Sequence, residues 1–456
     1  MPEEFSWDQS LIHRIRDQVD YIVEAFAEQG ITDTFGQRRS VTVKVVDARD
    51  GGIEYMYAEG QLLARDEYLQ AVLDIVRGQL DRDGDRSRSA DRPSDRELFV
   101  LERVVPGVTL VTLLPQGTQQ APPPVLPIIE QADQILGPGN VTPDHVLTVT
   151  PAGPCPATEP EPAYFGTEPY PSVCHENSGA GIVVFVADTG LLEHAEHHHP
   201  WLRGVRRALN PDGSVQPPDP DRTPDGKWIP PYCGHGTFVA GEVRCLAPQA
   251  DVIVANIFAV AGSTLEHDLV QQLDQALSLG VDVFNLSIAC GTRDQLTSLG
   301  FDGFQQRLNQ YKGVVCIVAA GNNASKVPTY PAALAGMVSV GALGADWRGR
   351  ARFSNYGGWV DVYAPGRDLV NAFASGTYVC HDAPYVDDKR HFHGMAKWSG
   401  TSFSTPLVTG MVAARMSRTG ETGPEAAAAL LNEARAQAIP GVGAVLLPPG
   451  GPIGPV

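Results

Sequence analysis

Residues 181–190 read GIVVFVADTG, six apolar residues (182–187) that run directly into aspartate, threonine and glycine. Four later stretches are similarly apolar: ADVIVANIFAV (250–260), GVDVFNLSIA (280–289), GVVCIVAAGN (313–322) and GMVSVGAL (336–343). Continuous apolar runs are typical of strands that are buried on both faces of a parallel sheet. Helical stretches such as EHDLVQQLDQALSLG (266–280) lie between them. The alternation of strand and helix predicts a doubly wound α/β sheet.

The remaining sequence predicts a second, smaller domain, because 456 residues exceed what one hydrophobic core usually serves. Residues 1–150 alternate helical and strand-like patterns, which predicts an α+β domain of unknown role. Residues 151–178 are rich in proline and glutamate, as expected of a linker. We expect the α/β domain to span 179–425, followed over 426–456 by a helix and a Gly/Pro-rich tail.

Composition excludes several functional classes. A net charge of −19 argues against a nucleic-acid partner, because phosphate binding requires a basic face. No apolar run is long enough to span a bilayer. The first residues, MPEEFSWDQS, lack the basic region and apolar core of a secretory signal, so we expect a cytoplasmic protein, with secretion by another route left open.

The seven cysteines are odd in number, scattered and without a CxxC pair. This pattern favours free thiols, as in the reducing cytoplasm. A disulfide between Cys155 and Cys174 remains the alternative for an exported chain.

Three polar residues occur where a doubly wound sheet places its chemistry, beyond the carboxyl ends of the strands. Asp188 ends the first apolar run, His235 stands between two glycines, and Ser402 begins a helical stretch. A carboxylate, an imidazole and a hydroxyl are the components of a nucleophilic triad. Taken singly, a serine at a helix start is more often a cap, and a buried aspartate is more often structural.

The sequence around these residues resembles a known family. VADTG (186–190), GHGTFVAG (234–241), AAGNNAS (319–325) and SGTSFSTPLVTG (399–410) occur in this order. They resemble the signature blocks of the subtilisin-like serine proteases, the peptidase S8 or subtilase family. TYPAAL (329–334) and ARFSNYGGWVDVYAPG (351–366) also resemble segments of that family. The resemblance covers about 180–420 and leaves the first 150 residues unexplained.

The resemblance implies a three-layer α/β/α domain and a serine endopeptidase that acts through an acyl-enzyme. Ser402 would be the nucleophile, His235 the general base and acid, and Asp188 the group that orients the imidazole. Asn322 would bind the oxyanion together with the Ser402 backbone N–H, with Asn323 as a less favoured alternative. No cofactor is implied.

The resemblance also implies where a polypeptide substrate would bind. Ser287, Ile288 and Ala289 correspond to an edge that pairs with an extended substrate, by addition of a strand. Ala319, Ala320 and Gly321 would form the other wall of the first specificity pocket, and Thr329 its floor. Because no acidic residue is evident there, we expect a small or medium apolar residue before the cleaved bond.

Four histidines between Asp188 and Trp201 suggest a metal site: His194, His197, His198 and His199. Zinc sites require a fixed tetrahedral ligand set, and no further His/Cys cluster supplies one, so we expect no metal. His199-Pro200 matches an element of the family. Stabilising calcium, which many relatives bind, stays open, but its ligands cannot be assigned from the aspartates of the insertion 210–231.

Two alternatives remain at the level of function. The chain could be a catalytically silent peptide-binding module of the same fold, although Asp188, His235, Asn322 and Ser402 are all present. Residues 1–150 could be an intramolecular inhibitor that is later cleaved off, or a permanent domain that recruits partners.

Overall fold

The computed structural model describes residues 9–29, 31–32, 38–48, 52–83, 98–115, 121–149, 157–163, 168–174, 177–258, 261–381 and 385–449. In the first 150 residues the described helices are α1 (Gln9–Gln29), α2 (Leu69–Asp83) and α3 (Leu126–Leu136). The strands there are β1 (Ile31–Thr32), β2 (Arg38–Arg39), β3 (Val43–Asp47), β4 (Ile53–Arg65), β5 (Phe99–Val105), β6 (Val108–Leu113) and β7 (Val141–Thr148).

The rest of the described chain alternates strands and helices. Its helices are α4 (Ala195–His198), α5 (His235–Leu246), α6 (Glu266–Leu277), α7 (Leu299–Leu308), α8 (Thr401–Thr419) and α9 (Gly423–Ala436). Its strands are β8 (Glu161–Pro162), β9 (Val183–Asp188), β10 (Arg206–Arg207), β11 (Asp251–Asn256), β12 (Ser263–Leu265), β13 (Val283–Leu286), β14 (Val315–Ala319), β15 (Met337–Leu343), β16 (Val362–Pro365), β17 (Leu369–Val379) and β18 (Lys389–Trp398).

The central sheet has seven strands in the order β10-β11-β9-β13-β14-β15-β16, and all of its pairs are parallel. Alternate residues of β9 point to opposite faces, as strand geometry requires. Val184 and Val186 pack with helices α5, α8 and α9, whereas Phe185 and Ala187 pack with α6 and α7. The domain is therefore a three-layer α/β/α structure, which confirms the doubly wound sheet predicted from the apolar runs and the layers implied by the resemblance.

A second sheet is formed mainly by the N-terminal domain. Its order is β12-β7-β4-β6-β5, with β3 also paired to β4. The outer strand β12 comes from the α/β domain and pairs antiparallel with β7. The two domains therefore share one sheet, which fixes the last strand of the N-terminal domain relative to the α/β domain.

The N-terminal sheet also packs face-on against α6 and α7. Val105 and Val108 belong to the same hydrophobic cluster as the apolar residues of both helices. Gly303 on α7 makes this approach close, because a β-carbon there would lie 2.8 Å from Val105 Cγ1 and 2.9 Å from Val108 Cγ2. The N-terminal domain thus packs its sheet against the α/β domain.

Two buried histidine–carboxylate pairs cross this interface. Asp144 Oδ2 lies 2.5 Å from His267 Nδ1, and the His267 backbone N–H donates to Asp144 Oδ1 at 3.1 Å. Beside them, His145 Nδ1 lies 2.7 Å from Glu266 Oε2. Each domain contributes one acid and one histidine, so the two pairs interlock.

The surroundings of His267 favour its charged form. Burial disfavours the imidazolium, but Asp144, Asp268 and Glu102 outweigh it and raise the pKa of His267 from 6.5 to about 10. Because the folded-state pKa lies above the ordinary value, the stabilisation is complete below about pH 6.5. It is lost as the pH rises through about 10.

Two further findings concern the expectations from composition. Among the residues that the structure describes, no helix combines the length and apolar character needed to cross a membrane. Cys174 is a free thiol, as are Cys233, Cys245, Cys290, Cys316 and Cys380, and Cys155 lies outside the described residues.

We expect Asp144→Ala to lower the free energy of unfolding by about 3–5 kcal/mol at pH 6, because it leaves a buried imidazolium without its partner. The loss should shrink as the pH approaches 10, where His267 becomes neutral. Urea denaturation at a series of pH values measures both effects. Asp302→Ala is the matched control: its ion pair with Arg65 leaves both side chains 27% exposed and should contribute below about 1 kcal/mol. A pH-independent loss in Asp144→Ala would contradict this account.

Candidate active site

Asp188 and His235 form a buried pair at the carboxyl edge of the parallel sheet. Asp188 is the last residue of β9 and His235 the first residue of α5, and both are fully buried. His235 Nδ1 lies 2.7 Å from Asp188 Oδ1. Gly236 permits the approach of the two turns, since a β-carbon there would lie 2.4 Å from Gly190 O. The glycine beside the histidine is therefore required by packing.

Ser402 lies in the first turn of α8, where backbone N–H groups have no intrahelical acceptor. Its own carbonyl would normally accept a hydrogen bond from the residue four positions later, but that residue is Pro406, which has no N–H. Ser287 Oγ donates to the Ser402 carbonyl instead, at 2.8 Å. Asn285 Nδ2 in turn donates to Ser287 Oγ at 3.0 Å. Ser287, predicted as a substrate contact, thus supports the backbone of Ser402.

Asn322 is held with its amide nitrogen free. Its Oδ1 accepts hydrogen bonds from the Thr401 backbone N–H at 2.9 Å and from Thr401 Oγ1 at 3.0 Å. Its Nδ2 is buried and has no partner among the described residues. Asn323 makes no such contact with Thr401; its backbone N–H donates to Asn355 Oδ1 at 3.0 Å. Asn322 therefore differs from Asn323 in that its side-chain oxygen is bonded to Thr401.

Two other buried polar atoms at this position lack partners within the described part of the chain. They are His235 Nε2 and Asp188 Oδ2. Ser402 Oγ does not bond to His235 Nε2; it donates to the carbonyl oxygen of Val149 at 3.1 Å. Buried unpaired polar atoms are uncommon in native proteins, and three of them belong to residues that were predicted to be catalytic: Asp188, His235 and Asn322.

The end of the N-terminal domain fills the cleft that leads to Ser402. Ala289 N–H donates to Thr148 O at 3.2 Å, and Val149 N–H donates to Gly262 O at 3.0 Å. Residues 148–149 are therefore held between two backbone edges of the α/β domain. The edge at Ala289 was predicted as a substrate contact. The other edge, Gly262 and β12, was not predicted, because its short sequence carries no apolar run or motif.

The residues predicted to form the pocket wall are linked to one another. Thr329 Oγ1 donates to Ala320 O at 2.9 Å. Gly321 N–H donates to Thr401 Oγ1 at 3.1 Å, in the turn that carries Ser402. Ala319 ends β14 and Ile288 lies in the core beneath the cleft, and both are buried. The structure thus brings the predicted segments to one place.

Asp219, one of the aspartates of the insertion 210–231, has a supporting role that the sequence did not predict. Its Oδ2 accepts hydrogen bonds from Thr189 Oγ1 at 2.9 Å and from the Gly234 backbone N–H at 2.7 Å. It thereby joins the turn after Asp188 to the turn before His235. Burial raises the pKa of Asp219 well above its ordinary value of 3.8, although the two hydrogen bonds oppose this.

The histidine-rich segment forms a separate surface feature. His194, Glu196 and His197 bring their potential ligand atoms within 4.8 Å of one another. The rings of His194 and His197 stack with centroids 5.0 Å apart. His199 is buried instead, and desolvation lowers its pKa to about 4. The absence of a bound metal stays a prediction.

Comparison with known proteins agrees with this geometry. The sequence model that describes the subtilase family matches residues 179–444, more than half of the chain. The chain therefore belongs to the subtilase family, as the four sequence blocks predicted.

Individual relatives are distant. Subtilisin Savinase from Lederbergia lenta is 30% identical over 247 residues, which make up 52% of this chain and 76% of that protein. M-protease from Shouchella clausii (strain KSM-K16) is also 30% identical over 247 residues, or 52% of this chain, but these are only 54% of its own length. The chain thus spans about half the length of that relative. A crystal structure of a cold-adapted subtilisin-like serine proteinase has a TM-score of 0.46 and 23% identity, covering 60% of this chain and 90% of that one.

We expect Asp219→Asn to gain stability relative to the wild type as the pH rises above about 4. The folded-state pKa of Asp219 is raised, so the wild type loses stability as the pH climbs from 3.8 towards that pKa. Asparagine carries no charge to bury. Urea denaturation between pH 4 and 8 measures the difference.

Asp212→Asn is the control, because Asp212 is exposed and hydrogen bonds from Ser214 lower its pKa. It should show no gain with rising pH. Parallel stability curves for the wild type and Asp219→Asn would contradict the role given to burial.

Proposed function

We propose that the chain is a serine endopeptidase that cleaves polypeptides through an acyl-enzyme. One observation carries the proposal: the carbonyl oxygen of Val149, in an extended segment paired with both edges of the cleft, lies 3.1 Å from Ser402 Oγ. A peptide group is thus held beside the Ser402 hydroxyl. Membership of the subtilase family supports the same reaction.

In the proposed reaction, Ser402 Oγ attacks the carbonyl carbon and its proton passes to His235 Nε2, the unpaired imidazole nitrogen. Asp188 holds the other nitrogen through the 2.7 Å contact and stabilises the imidazolium. Asn322 Nδ2 and the Ser402 N–H bind the oxyanion. His235 then protonates the departing amine. Water next attacks the acyl carbon while His235 takes its proton, and His235 returns a proton to Ser402 Oγ as the acid product leaves.

We also propose that the N-terminal domain inhibits the enzyme and is cut from it at the Val149–Thr150 bond. The support is threefold: the domain fills the cleft, buries Ser402 to 1% exposure, and presents the Val149 carbonyl to the serine. A role in recruiting partners does not require the last strand of the domain to lie in the cleft. This favours the inhibitor hypothesis over the recruiting one.

The occupant of the cleft suggests a preference before the cleaved bond. Val149 is 1% exposed and takes part in the hydrophobic cluster of that face of the sheet. A valine there agrees with the expectation of a small or medium apolar residue. Cleavage predominantly after arginine or lysine in a peptide library would contradict it.

The first experiment is labelling with a fluorophosphonate probe, read by intact mass, on the wild type and on Ser402→Ala. We expect one adduct on the wild type and none on the variant. We also expect wild-type chains that begin at Thr150, whereas Ser402→Ala stays at full length. A folded wild-type chain that is neither labelled nor cleaved would favour the silent peptide-binding module.

We expect Asn322→Ala to lower kcat by about 10²–10³ with little change in KM, the effect known for the oxyanion donor of subtilisin itself. Steady-state kinetics on a chromogenic peptide measures it. Asn323→Ala is the matched control, since no hydrogen bond joins its side chain to Thr401, and it should retain most of the activity. A larger loss in Asn323→Ala than in Asn322→Ala would reverse the assignment.

A further inference from the structure

The insertion 210–231 reaches the carboxyl end of the parallel sheet. Gln216 Oε1 accepts a hydrogen bond from the Asn256 backbone N–H at 2.8 Å, and Asn256 Nδ2 donates to Pro218 O at 3.4 Å. Asn256 is the last residue of β11, and the parallel pairing of β11 with β9 sets it beside Asp188. Part of the insertion therefore lies at the edge of the sheet that carries the reactive residues.

Asp219, in this part of the insertion, anchors the backbone on both sides of His235. Its Oδ2 accepts hydrogen bonds from the Gly234 backbone N–H at 2.7 Å and from Thr189 Oγ1 at 2.9 Å. The same Thr189 oxygen accepts a hydrogen bond from the Gly236 backbone N–H at 3.1 Å. The residue before His235 is thus bound to Asp219 directly, and the residue after it is bound through Thr189.

Thr189 also orients the carboxylate that faces His235. Its backbone N–H donates to Asp188 Oδ1 at 2.8 Å, and that same oxygen lies 2.7 Å from His235 Nδ1. A hydroxyl has one proton to donate and two lone pairs that accept. Because Asp219 takes the proton of the Thr189 hydroxyl, it fixes the direction in which that hydroxyl presents its lone pairs to Gly236.

A histidine between two glycines requires anchors of this kind. Gly234 lies in the left-handed region with a φ of 78°, and Gly236 has no room for a side chain, since a β-carbon there would lie 2.4 Å from a backbone oxygen. Glycine has more backbone freedom than any other residue. The hydrogen bonds to Asp219 and Thr189 restrict this freedom and so fix where the His235 ring begins.

The insertion is itself attached to strand β17. Arg222 Nη2 donates to Ser375 O at 2.8 Å, and the Ile229 backbone N–H donates to Thr377 O at 2.8 Å. The Asp219 side chain between these attachments and the sheet is buried, with 4% exposure. The carboxylate is therefore held by the body of the domain and does not depend on the two turns that it joins.

We propose that Asp219 is a positioning residue for the Asp188–His235 pair, which makes the insertion 210–231 part of the catalytic machinery. The proposal rests on the endopeptidase function proposed above and adds a residue to it. Asp219 transfers no proton in that reaction and acts only through the backbone around Thr189 and Gly234. Because a displacement of about 1 Å can lower a rate about 10²-fold, loss of these anchors should lower kcat.

The test compares Asp219→Ala with Asp219→Asn in the full-length chain after it has processed itself. Fluorophosphonate labelling to completion counts the reactive serines, and kcat on a chromogenic peptide is expressed per labelled site. We expect Asp219→Ala to lower kcat per site by about ten-fold or more with little change in KM. Asp219→Asn keeps an oxygen in the place of Oδ2 and should keep most of kcat. A purely structural role would reduce the number of labelled sites and leave kcat per site unchanged.

Thr189→Val and Thr189→Ser form a second pair, which decides the proposal if Asp219→Ala does not fold. Valine has nearly the shape of threonine but lacks the hydroxyl that bonds to Asp219 and Gly236. We expect Thr189→Val to lower kcat per labelled site about as much as Asp219→Ala. Thr189→Ser retains the hydroxyl and should retain most of kcat.

Asp212→Ala is the matched control, because Asp212 belongs to the same insertion but is exposed and accepts its hydrogen bonds from Ser214. It should keep the wild-type kcat per site. An unchanged kcat per site in Asp219→Ala, or in Thr189→Val where Asp219→Ala does not fold, would overturn the positioning role and leave the endopeptidase function intact. A folded wild-type chain with no fluorophosphonate adduct and no cleavage of the peptide would overturn both.

Discussion

The hydrogen bonds that hold Thr148 and Val149 between Ala289 and Gly262 determine how the two domains relate. Side chains alternate along a strand, so a slip of one residue would turn every side chain of β7 to the opposite face. It would also move the Val149 carbonyl away from Ser402 Oγ. The sheet of the N-terminal domain, shared with β12, keeps this register fixed. The same strand carries Asp144 and His145, so its register also places the two buried histidine–carboxylate pairs.

Buried polar groups are hydrogen-bonded to each other at the interface, whereas some of those in the cleft have no partner among the described residues. At the interface, Asp144 and His267 satisfy each other, as do His145 and Glu266. In the cleft, His235 Nε2 and Asn322 Nδ2 remain unpaired among the described residues. The first arrangement stabilises a particular docking of two domains, because breaking a buried pair is strongly unfavourable. In the reaction proposed above, the second arrangement would supply a base and a donor for charge that develops only during the reaction.

The parallel sheet and the reactive residues could be predicted from sequence because each has a local signal. Apolar runs marked β9 and β13–β15, and the two glycines beside His235 are required by a positive φ at Gly234 and by the close approach of Gly236 to Gly190. The role of Asp219 could not be predicted. Asp219 lies in a proline-rich segment without periodicity, and it acquires its surroundings from residues far away in sequence, such as Thr189.

Cleavage of one peptide bond would not by itself free the active site. The cut leaves the apolar contacts of Val105 and Val108 and the buried pair of Asp144 with His267 unchanged. It converts an intramolecular contact into a bimolecular one, which lowers the effective concentration of the N-terminal domain to its concentration in solution. Release would then depend on how tightly the interface binds, and α1 adds to that affinity through the hydrogen bond from Gln18 to Tyr232. If the N-terminal domain inhibits the enzyme as proposed, these contacts and the strand in the cleft must therefore all be released before a substrate can bind.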